Sequence, residues 1–428
     1  MRGEKDRVRS SRFRLLTSTP HFTYFSLLTS YFSPPLTASP SPDSPLARVR
    51  RLLRSVPLID GHNDLAWRIR THGKPPMDVA AYDLRKPTAG HTDLARLERG
   101  QVGAQVWSVF LPGDIKESGF ARVQLEQIDI ARRIIARYPD RLALALSADD
   151  IEREFSRGRI ASLIGMEGGH AIENSLGVLR VCHALGARYL TLTHNVTTDW
   201  ADAALDAARH GGLSPFGREV VREMNRLGML VDLSHVSPAT MTAALDVTEA
   251  PLIFSHSNAR ALVDHPRNVP DAILERVRAN GGMVMATFVP AFVSVEVAAF
   301  EQRREAEDKR LTKSLGDGAE CSRALDAWDA ANPRPTATLS QVADHIEHLR
   351  AAAGVDHVGI GSDFDGIESV PIGLEDVSKF PDLLAELARR GWSDDDLAKL
   401  AGRNFLRVFQ EVGAVAARLQ REREPLVG

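Results

Sequence analysis

The sequence predicts an α/β fold, a (β/α)8 barrel of the TIM type, and three observations support this. Eight short apolar runs alternate with longer segments of helical periodicity, as the repeated β/α units of a barrel require. Ionisable or metal-binding side chains follow six of the eight runs, at the end of a barrel strand where enzymes keep their active sites. The chain of 428 residues is long enough for one large barrel with insertions.

The eight runs are nearly continuous in apolar residues, which is typical of parallel strands buried on both faces. They cover residues 56–60, 103–110, 161–166, 189–193, 230–233, 251–254, 282–288 and 357–361. A ninth, peripheral strand is expected over residues 141–147. No glycine-rich phosphate loop follows any run, which argues against a nucleotide-binding sheet.

Helix signals lie between the runs. Ser214 and Gly228 are placed to begin and end a helix over 215–227. Further helices are predicted over 46–55, 271–279 and 397–412. The highly charged segment 296–335 has no strand-like run, so we expect a helical insertion there. It is either an excursion over the barrel mouth or a solvated surface feature without a catalytic part.

The N-terminal 45 residues differ from the rest, because Pro, Ser and Thr dominate and no periodicity is visible. Basic residues followed by a semi-apolar stretch resemble a signal peptide, but Thr23, Ser26, Thr29 and Ser30 interrupt the apolar part. We therefore expect a disordered leader over 1–45, or a start codon assigned too early, and a single hydrolase domain over 46–428. The expected location is cytoplasmic, with export as the alternative.

Composition excludes several classes of protein. The net charge of −3 provides no basic field, which argues against a nucleic-acid partner. No apolar run is long enough to span a membrane, and no apolar tail is present that would direct a lipid anchor. Cys182 and Cys321 are too few for a disulfide framework and are expected to be free thiols.

Five residues at the ends of the predicted strands form a candidate metal cage. Taken alone, each residue could be a buried core histidine or an acid in a turn. Five such residues at strand ends are hard to explain by packing, because buried polar side chains without partners are costly, whereas metal ions at one barrel mouth would bind all of them. His62 and Asp64 lie two apart, so that both side chains point the same way from an extended segment. The five predicted ligands are His62, Asp64, Glu167, His235 and His256.

These ligand types suit two zinc ions that share one carboxylate, although manganese, cobalt or iron would be chemically acceptable. Two bridged ions hold a hydroxide between them and polarise a carbonyl or phosphoryl group. Asp363, after the eighth run, is the expected proton carrier, and Asp365 is its competitor on the same segment.

Seven of these segments together resemble the membrane (renal) dipeptidase family, a branch of the amidohydrolase-like barrels. The resemblance runs from about residue 56 to 412, and GLEDVSKFPD (373–382) also looks typical of the family. The seven matching runs are PLIDGHND (57–64), GMEGGH (165–170), LTHN (192–195), VDLSH (231–235), FSHS (254–257), RNVP (267–270) and HVGIGSDFDG (357–366).

The resemblance implies a role for each matching residue. His62 and Asp64 would bind one zinc and His235 and His256 the other, with Glu167 bridging both. His194 would contact the substrate and stabilise the tetrahedral intermediate, Arg267 would hold the terminal carboxylate of the substrate, and Asp363 would transfer protons. From the residues alone, alternative interpretations stay open. His194 could be a core histidine or a further metal ligand, and Arg267 could be a surface charge beside a turn.

The expected function is therefore hydrolysis of the peptide bond of dipeptides, with an L- or D-residue at the C-terminal position. Mammalian members carry disulfides and a lipid-anchor signal that this chain lacks, so neither membrane attachment nor disulfide-linked pairing is carried over. The sequence does not define the oligomeric state, and a homodimer is one possibility. The alternatives are a two-metal hydrolase of another amide, a β-lactam or a lactone, and a barrel that has lost catalysis and only binds.

Overall fold

The computed structural model describes residues 44–115 and 119–427, which belong to one compact unit. The predicted leader lies outside the described residues, except for Ser44 and Pro45. Ser44 caps the first helix, which begins at Pro45. None of the described helices is both long enough and apolar enough to cross a membrane.

Nine parallel strands form a single sheet in the described part of the chain. They are β1 (Leu58–Asn63), β2 (Val102–Phe110), β3 (Leu142–Leu144), β4 (Ile160–Glu167), β5 (Ala187–Thr191), β6 (Leu230–Asp232), β7 (Ile253–Phe254), β8 (Met283–Ala286) and β9 (Val358–Ile360). All eight predicted runs are strands. The predicted ninth strand is also present, as β3.

The sheet closes into an eight-stranded barrel in the order β1-β2-β4-β5-β6-β7-β8-β9, because β2 pairs with both β1 and β4 and β9 pairs back to β1. Strand β3 stays outside this ring. It pairs only with the first residues of β4, and β5 pairs with the last ones. The predicted TIM-type barrel is thus confirmed, with β3 as a peripheral addition.

Every residue of β1 and β4 is buried, since one face lines the barrel and the other lies under helices. The helices are α1 (Pro45–Leu52), α2 (Leu65–His72), α3 (Leu94–Arg99), α4 (Phe120–Arg137), α5 (Ala148–Ser156), α6 (Leu176–Ala184), α7 (Pro215–Leu227), α8 (Pro238–Val247), α9 (Asp271–Asn280), α10 (Pro290–Val293), α11 (Val295–Leu315), α12 (Ala319–Ala331), α13 (Leu339–Ala353), α14 (Phe380–Arg389), α15 (Asp394–Ala398) and α16 (Asn404–Glu422).

Helix ends follow the sequence signals where a cap is present. The Ser214 side chain accepts a hydrogen bond from the Gly217 amide, and Gly228 ends α7 with a φ of 77°, as predicted. The helix predicted over 397–412 differs: a π-helical turn, Lys399–Arg403, separates α15 from α16. In this turn Gly402 packs so closely on the backbone of Pro57 that a Cβ atom would clash, which couples the turn to the start of β1.

The charged insertion over 296–335 is helical, as expected, and forms most of α11 and α12. Arg304 of α11 makes a bidentate ion pair with Asp329 of α12 and holds the two helices together. The insertion follows α10 directly. The predicted free thiols, Cys182 and Cys321, are both unpaired and buried.

Candidate metal centre

The predicted site residues lie together at the carboxyl end of the barrel. His62 is in β1 and Asp64 follows it, and Glu167 is the last residue of β4. His194, His235, His256 and Asp363 come two or three residues after other strands, whereas Arg267 lies in the long loop between β7 and α9. Potential ligand atoms within 4.8 Å of one another form three overlapping groups: His62, Glu167 and His256; Glu167, His194 and His235; and His62, Asp64 and Asp363.

Glu167 lies at the centre, and its two oxygen atoms face different histidines. Oε2 is 3.2 Å from His62 Nε2, while Oε1 is 3.0 Å from His235 Nε2 and 3.6 Å from His256 Nε2. Asp64 Oδ2 is 3.3 Å from His62 Nε2, on the Oε2 side. The carboxylate therefore divides the ligands into two sets, as a bridge between two ions requires.

Each of the three histidine rings is held through its Nδ1 atom. His62 Nδ1 is 2.8 Å from the Tyr189 hydroxyl, and His235 Nδ1 is 3.0 Å from the side-chain oxygen of Asn195. His256 Nδ1 is 2.8 Å from Ser255 Oγ. A neutral ring whose Nδ1 atom donates to such a partner has an unprotonated Nε2 atom, so these contacts would suit the three Nε2 atoms to bind metal.

The inner atoms of the cage fit a pair of cations. His62 Nε2 and Asp64 Oδ1 are buried and have no hydrogen-bond partner, which is costly for polar atoms. The Nε2 atoms of His235 and His256 lie 2.9 Å apart. When both rings carry their hydrogen on Nδ1, two lone pairs face each other there, and a cation bound by both would relieve their repulsion. Donor atoms around tetrahedral zinc are about 3.3 Å apart, close to the separations seen here.

Burial and neighbouring charges favour the ligand forms. Burial and the Arg267 guanidinium lower the pKa of His235 well below its usual value, and burial, His62 and Arg267 do the same for His256. Both rings are therefore neutral. Although burial opposes it, the pKa of Glu167 is lowered by His62 and Ser108, and Ser108 Oγ donates to Oε2 at 3.0 Å. His235 and His256 are thus neutral beside an ionised Glu167. His62 differs: although burial opposes it, the neighbouring Tyr189, Glu167 and Asp64 raise its pKa well above the usual value.

Asp363 and Asp365, the two candidate proton carriers, contact different parts of the structure. Asp363 Oδ1 is 4.0 Å from His62 Nε2, and burial together with the Asp64 carboxylate raises the Asp363 pKa well above the usual value. Asp365 instead accepts the His91 amide at 2.8 Å, and its own amide donates to His91 Nδ1. Asp363 therefore lies at the cage and Asp365 holds a neighbouring loop.

Left-handed backbone is concentrated at this mouth. His235, Asp363 and Asp365 have φ values of 69°, 67° and 65°, which cost energy for residues other than glycine. Such strain is characteristic of functional sites.

His194 and Arg267 lie on either side of the His235/His256 pair. The His194 ring centre is 4.3 Å from that of His235 and 4.6 Å from that of Phe110. The Arg267 guanidinium is buried 5.0 Å from the ring centre of Phe292, and it donates only a long hydrogen bond of 3.4 Å to the His256 carbonyl. Its Nε has no partner, and burial lowers its pKa to about 10. The guanidinium lacks an anion within ion-pair distance among the described residues.

The family model "Membrane dipeptidase (Peptidase family M19)" matches residues 46–423. The chain belongs to the membrane dipeptidase family. It is therefore a metallo-dipeptidase, an enzyme that hydrolyses peptide bonds, as the sequence motifs implied.

Similar proteins agree with this membership. "Dipeptidase verJ" of Clonostachys rogersoniana is 41% identical over 396 residues, which is 90% of this chain and 92% of that protein. The crystal structure of the probable dipeptidase PvdM from Pseudomonas aeruginosa is 26% identical with a TM-score of 0.75, over 87% of this chain and 99% of that one. A metallopeptidase from Rhodobacter sphaeroides, bound to a phosphinate mimic of the dipeptide L-Ala-D-Ala, shares the fold, with 24% identity, a TM-score of 0.69 and coverage of 83% and 99%.

Sequence reasoning missed the side chains that support the cage of this dipeptidase. Ser255 and Asn195 adjoin predicted site residues in the sequence, and a search for hydroxyl or amide neighbours would have found them. Asp232 precedes His235 by three residues, which is also a usable signal. Tyr189 has none, because it reaches His62 across the barrel over 127 residues of sequence.

Proposed function

We propose that the protein is a two-zinc dipeptidase that recognises the free carboxylate of a short peptide and accepts an L- or D-residue at its C-terminal position. The observation that carries the two-metal assignment is the orientation of Glu167, whose two oxygen atoms face separate sets of ligands. His62 and Asp64 would hold one ion and His235 and His256 the other. When bound, the two ions would supply an activated water molecule and a Lewis acid for the scissile carbonyl.

Asp363 is the proposed proton carrier. Its Oδ1 atom would take the proton of the attacking water and deliver it to the nitrogen of the leaving amine. Burial and the Asp64 carboxylate raise the Asp363 pKa, which favours uptake of a proton by this carboxylate.

His194 is proposed to donate a hydrogen bond to the carbonyl oxygen as negative charge develops there. Burial and the Arg267 charge lower the pKa of His194 well below its usual value, so the ring acts as a neutral donor. Its position beside His235 keeps it close to the cage without a hydrogen bond that would fix it elsewhere in the described structure.

Arg267 is proposed to bind the C-terminal carboxylate of the substrate. A buried guanidinium without an anionic partner is costly, and a carboxylate satisfies it with two parallel hydrogen bonds. This contact would confine cleavage to peptides whose free carboxylate lies one residue from the scissile bond.

The test compares L-Ala-L-Ala and L-Ala-D-Ala with their C-terminal amides. We include the D-isomer because the Rhodobacter sphaeroides structure holds a mimic of that dipeptide. The kcat/KM for the free acids should be at least about 100-fold higher than for the amides. An amide leaves the buried Arg267 charge without its partner, and a loss of this size is expected when one member of a buried charge pair is missing. Arg267→Leu should remove this preference. Arg260→Leu is the matched control, because Arg260 pairs with the exposed Asp264 on the same segment. Equal rates for acid and amide in the unmodified enzyme would contradict the role of Arg267.

A further inference from the structure

Asp232 is a fully buried carboxylate beneath the metal centre, at the end of β6. Its Oδ1 atom accepts hydrogen bonds from the amides of Ser234 and Ser255 at 3.1 and 2.8 Å. Its Oδ2 atom accepts from the hydroxyls of Thr191 and Ser255 at 2.5 and 2.6 Å. Within the described chain, no lysine or arginine forms an ion pair with it. All four of its close contacts are therefore donors.

The hydroxyl of Ser255 has only one hydrogen atom. Ser234 Oγ is 3.5 Å away, and two polar neighbours are closer. One is Asp232 Oδ2, and the other is His256 Nδ1 at 2.8 Å. A carboxylate that accepts four hydrogen bonds has no proton to give, so the Ser255 hydrogen points to Asp232. The oxygen of Ser255 is then an acceptor for His256, and the hydrogen of that contact must come from Nδ1.

We propose that Asp232 and Ser255 are positioning residues that fix the tautomer of His256, with the hydrogen on Nδ1 and the free lone pair on Nε2. The inference rests on the proposed two-metal function, since Nε2 of His256 faces Glu167 in the cage. A carboxylate behind a ligating imidazole also raises the basicity of the ring and so its affinity for metal. Here the serine hydroxyl transmits that effect.

A second buried pair, Asp60 and Ser362, has the same pattern of hydrogen bonds, and no histidine ring of the described chain contacts its serine hydroxyl. Asp60 of β1 accepts from the amide of Ser362 at 2.8 Å and from its hydroxyl at 2.7 Å. The Ser362 hydroxyl also contacts the carbonyl of His62 and the amide of Phe364, both at 3.2 Å, and neither of these groups has alternative tautomers. Removing the Ser362 hydroxyl therefore removes the same kind of buried hydrogen bond without changing any tautomer.

The experiment measures the two zinc affinities of the full-length protein by competition with a chromophoric chelator. Ser255→Ala should weaken one of the two ions by about 10- to 100-fold and leave the other within about threefold. Ser362→Ala is the matched control, and both of its zinc affinities should stay within about threefold of the unmodified protein. Equal weakening in both variants, or none in Ser255→Ala, would overturn the proposal.

A spectroscopic arm works without metal. In zinc-free protein with 15N-labelled histidine, the His256 ring should carry its hydrogen on Nδ1. In Asp232→Asn the amide nitrogen would donate to Ser255, the Ser255 hydrogen would turn to Nδ1, and the ring hydrogen should move to Nε2. An unchanged tautomer would contradict the inference. Failure of the unmodified protein to bind zinc would instead contradict the proposed function, and the tautomer would still be measured.

Discussion

Asp363 is the residue whose assignment depends most on geometry, because two aspartates two positions apart were both eligible from the sequence. Asp363→Asn should lower kcat by about 100- to 10,000-fold, since the amide cannot take a proton from water. Zinc content and KM should be nearly unchanged.

Asp365→Asn is the control for this substitution. The amide oxygen can still accept the hydrogen bond of the His91 amide, so the loop should stay in place and kcat should fall far less. Loss of turnover in Asp365→Asn with retention in Asp363→Asn would reverse the assignment. Steady-state kinetics and metal analysis of both variants decide between these outcomes.

Residues of the cage could be predicted from the sequence because each follows an apolar strand, and the strand ends of a barrel converge. The supporting contacts could not, since they depend on register across the ring. Tyr189 reaches His62 only because both side chains point into the barrel at the same height. Likewise, Arg267 could not be told from a surface arginine until its burial was known.

At the scale of elements, the barrel interior depends on Gly165 of β4. A Cβ atom at this position would lie 2.0 Å from the Tyr189 ring, which is buried and cannot retreat. Gly165→Ala should therefore destabilise the protein by about 1–3 kcal/mol and weaken zinc binding, because the Tyr189 hydroxyl would leave His62.

Gly413→Ala provides the comparison for Gly165→Ala. Nothing lies within 4 Å of a Cβ atom at Gly413, which is in the middle of α16. The free energy of unfolding should rise by about 0.5–1 kcal/mol, as expected for alanine in a helix. Urea unfolding of both variants tests the pair, and a Gly165→Ala protein as stable as the parent would show that the ring is not confined.

His345 of α13 joins three elements. Its Nδ1 accepts the Ala259 amide and its Nε2 donates to the Val293 carbonyl, both at 3.2 Å. Burial lowers the pKa of His345 to about 4. Between pH 6.5 and 4 the unfolded chain therefore binds a proton that the folded chain does not. The stability that the neutral ring contributes is complete above pH 6.5 and is lost as the pH falls towards 4.

His345→Gln should remove this dependence, because an amide offers one acceptor and one donor without titrating. The difference in free energy of unfolding between parent and variant should shrink by about 3 kcal/mol from pH 7 to pH 4. Loss of metal at low pH affects both proteins and so cancels in the difference. A difference that is constant with pH would show that His345 is already protonated in the folded state.

Helices could be predicted from the sequence where the hydrophobic periodicity and the capping residues indicate the same ends, as for α7 between Ser214 and Gly228. The π-helical turn before α16 was not, because it depends on the close packing of Gly402 against Pro57, more than 340 positions away in sequence. Residue spacing and the lack of a strand-like run predicted that the insertion is helical, but they gave no indication that α11 and α12 pair through Arg304 and Asp329.

For the whole molecule, the family membership and the barrel fix the chemistry as metal-dependent peptide hydrolysis. The two-ion centre is the proposal that the orientation of Glu167 supports. The proposed cage gathers side chains from strands in both halves of the chain, so zinc would bind only the folded form and should raise the unfolding temperature. Zinc at about 1,000 times its dissociation constant would add about 4 kcal/mol.

The most direct test of the two-metal account is a zinc titration of metal-free protein with the hydrolysis of L-Ala-D-Ala followed at each point. The account predicts no activity without metal, full activity at two zinc ions per chain, and a Glu167→Gln variant that binds zinc more weakly and stays inactive. Full activity at one ion per chain, or hydrolysis by metal-free protein, would contradict it.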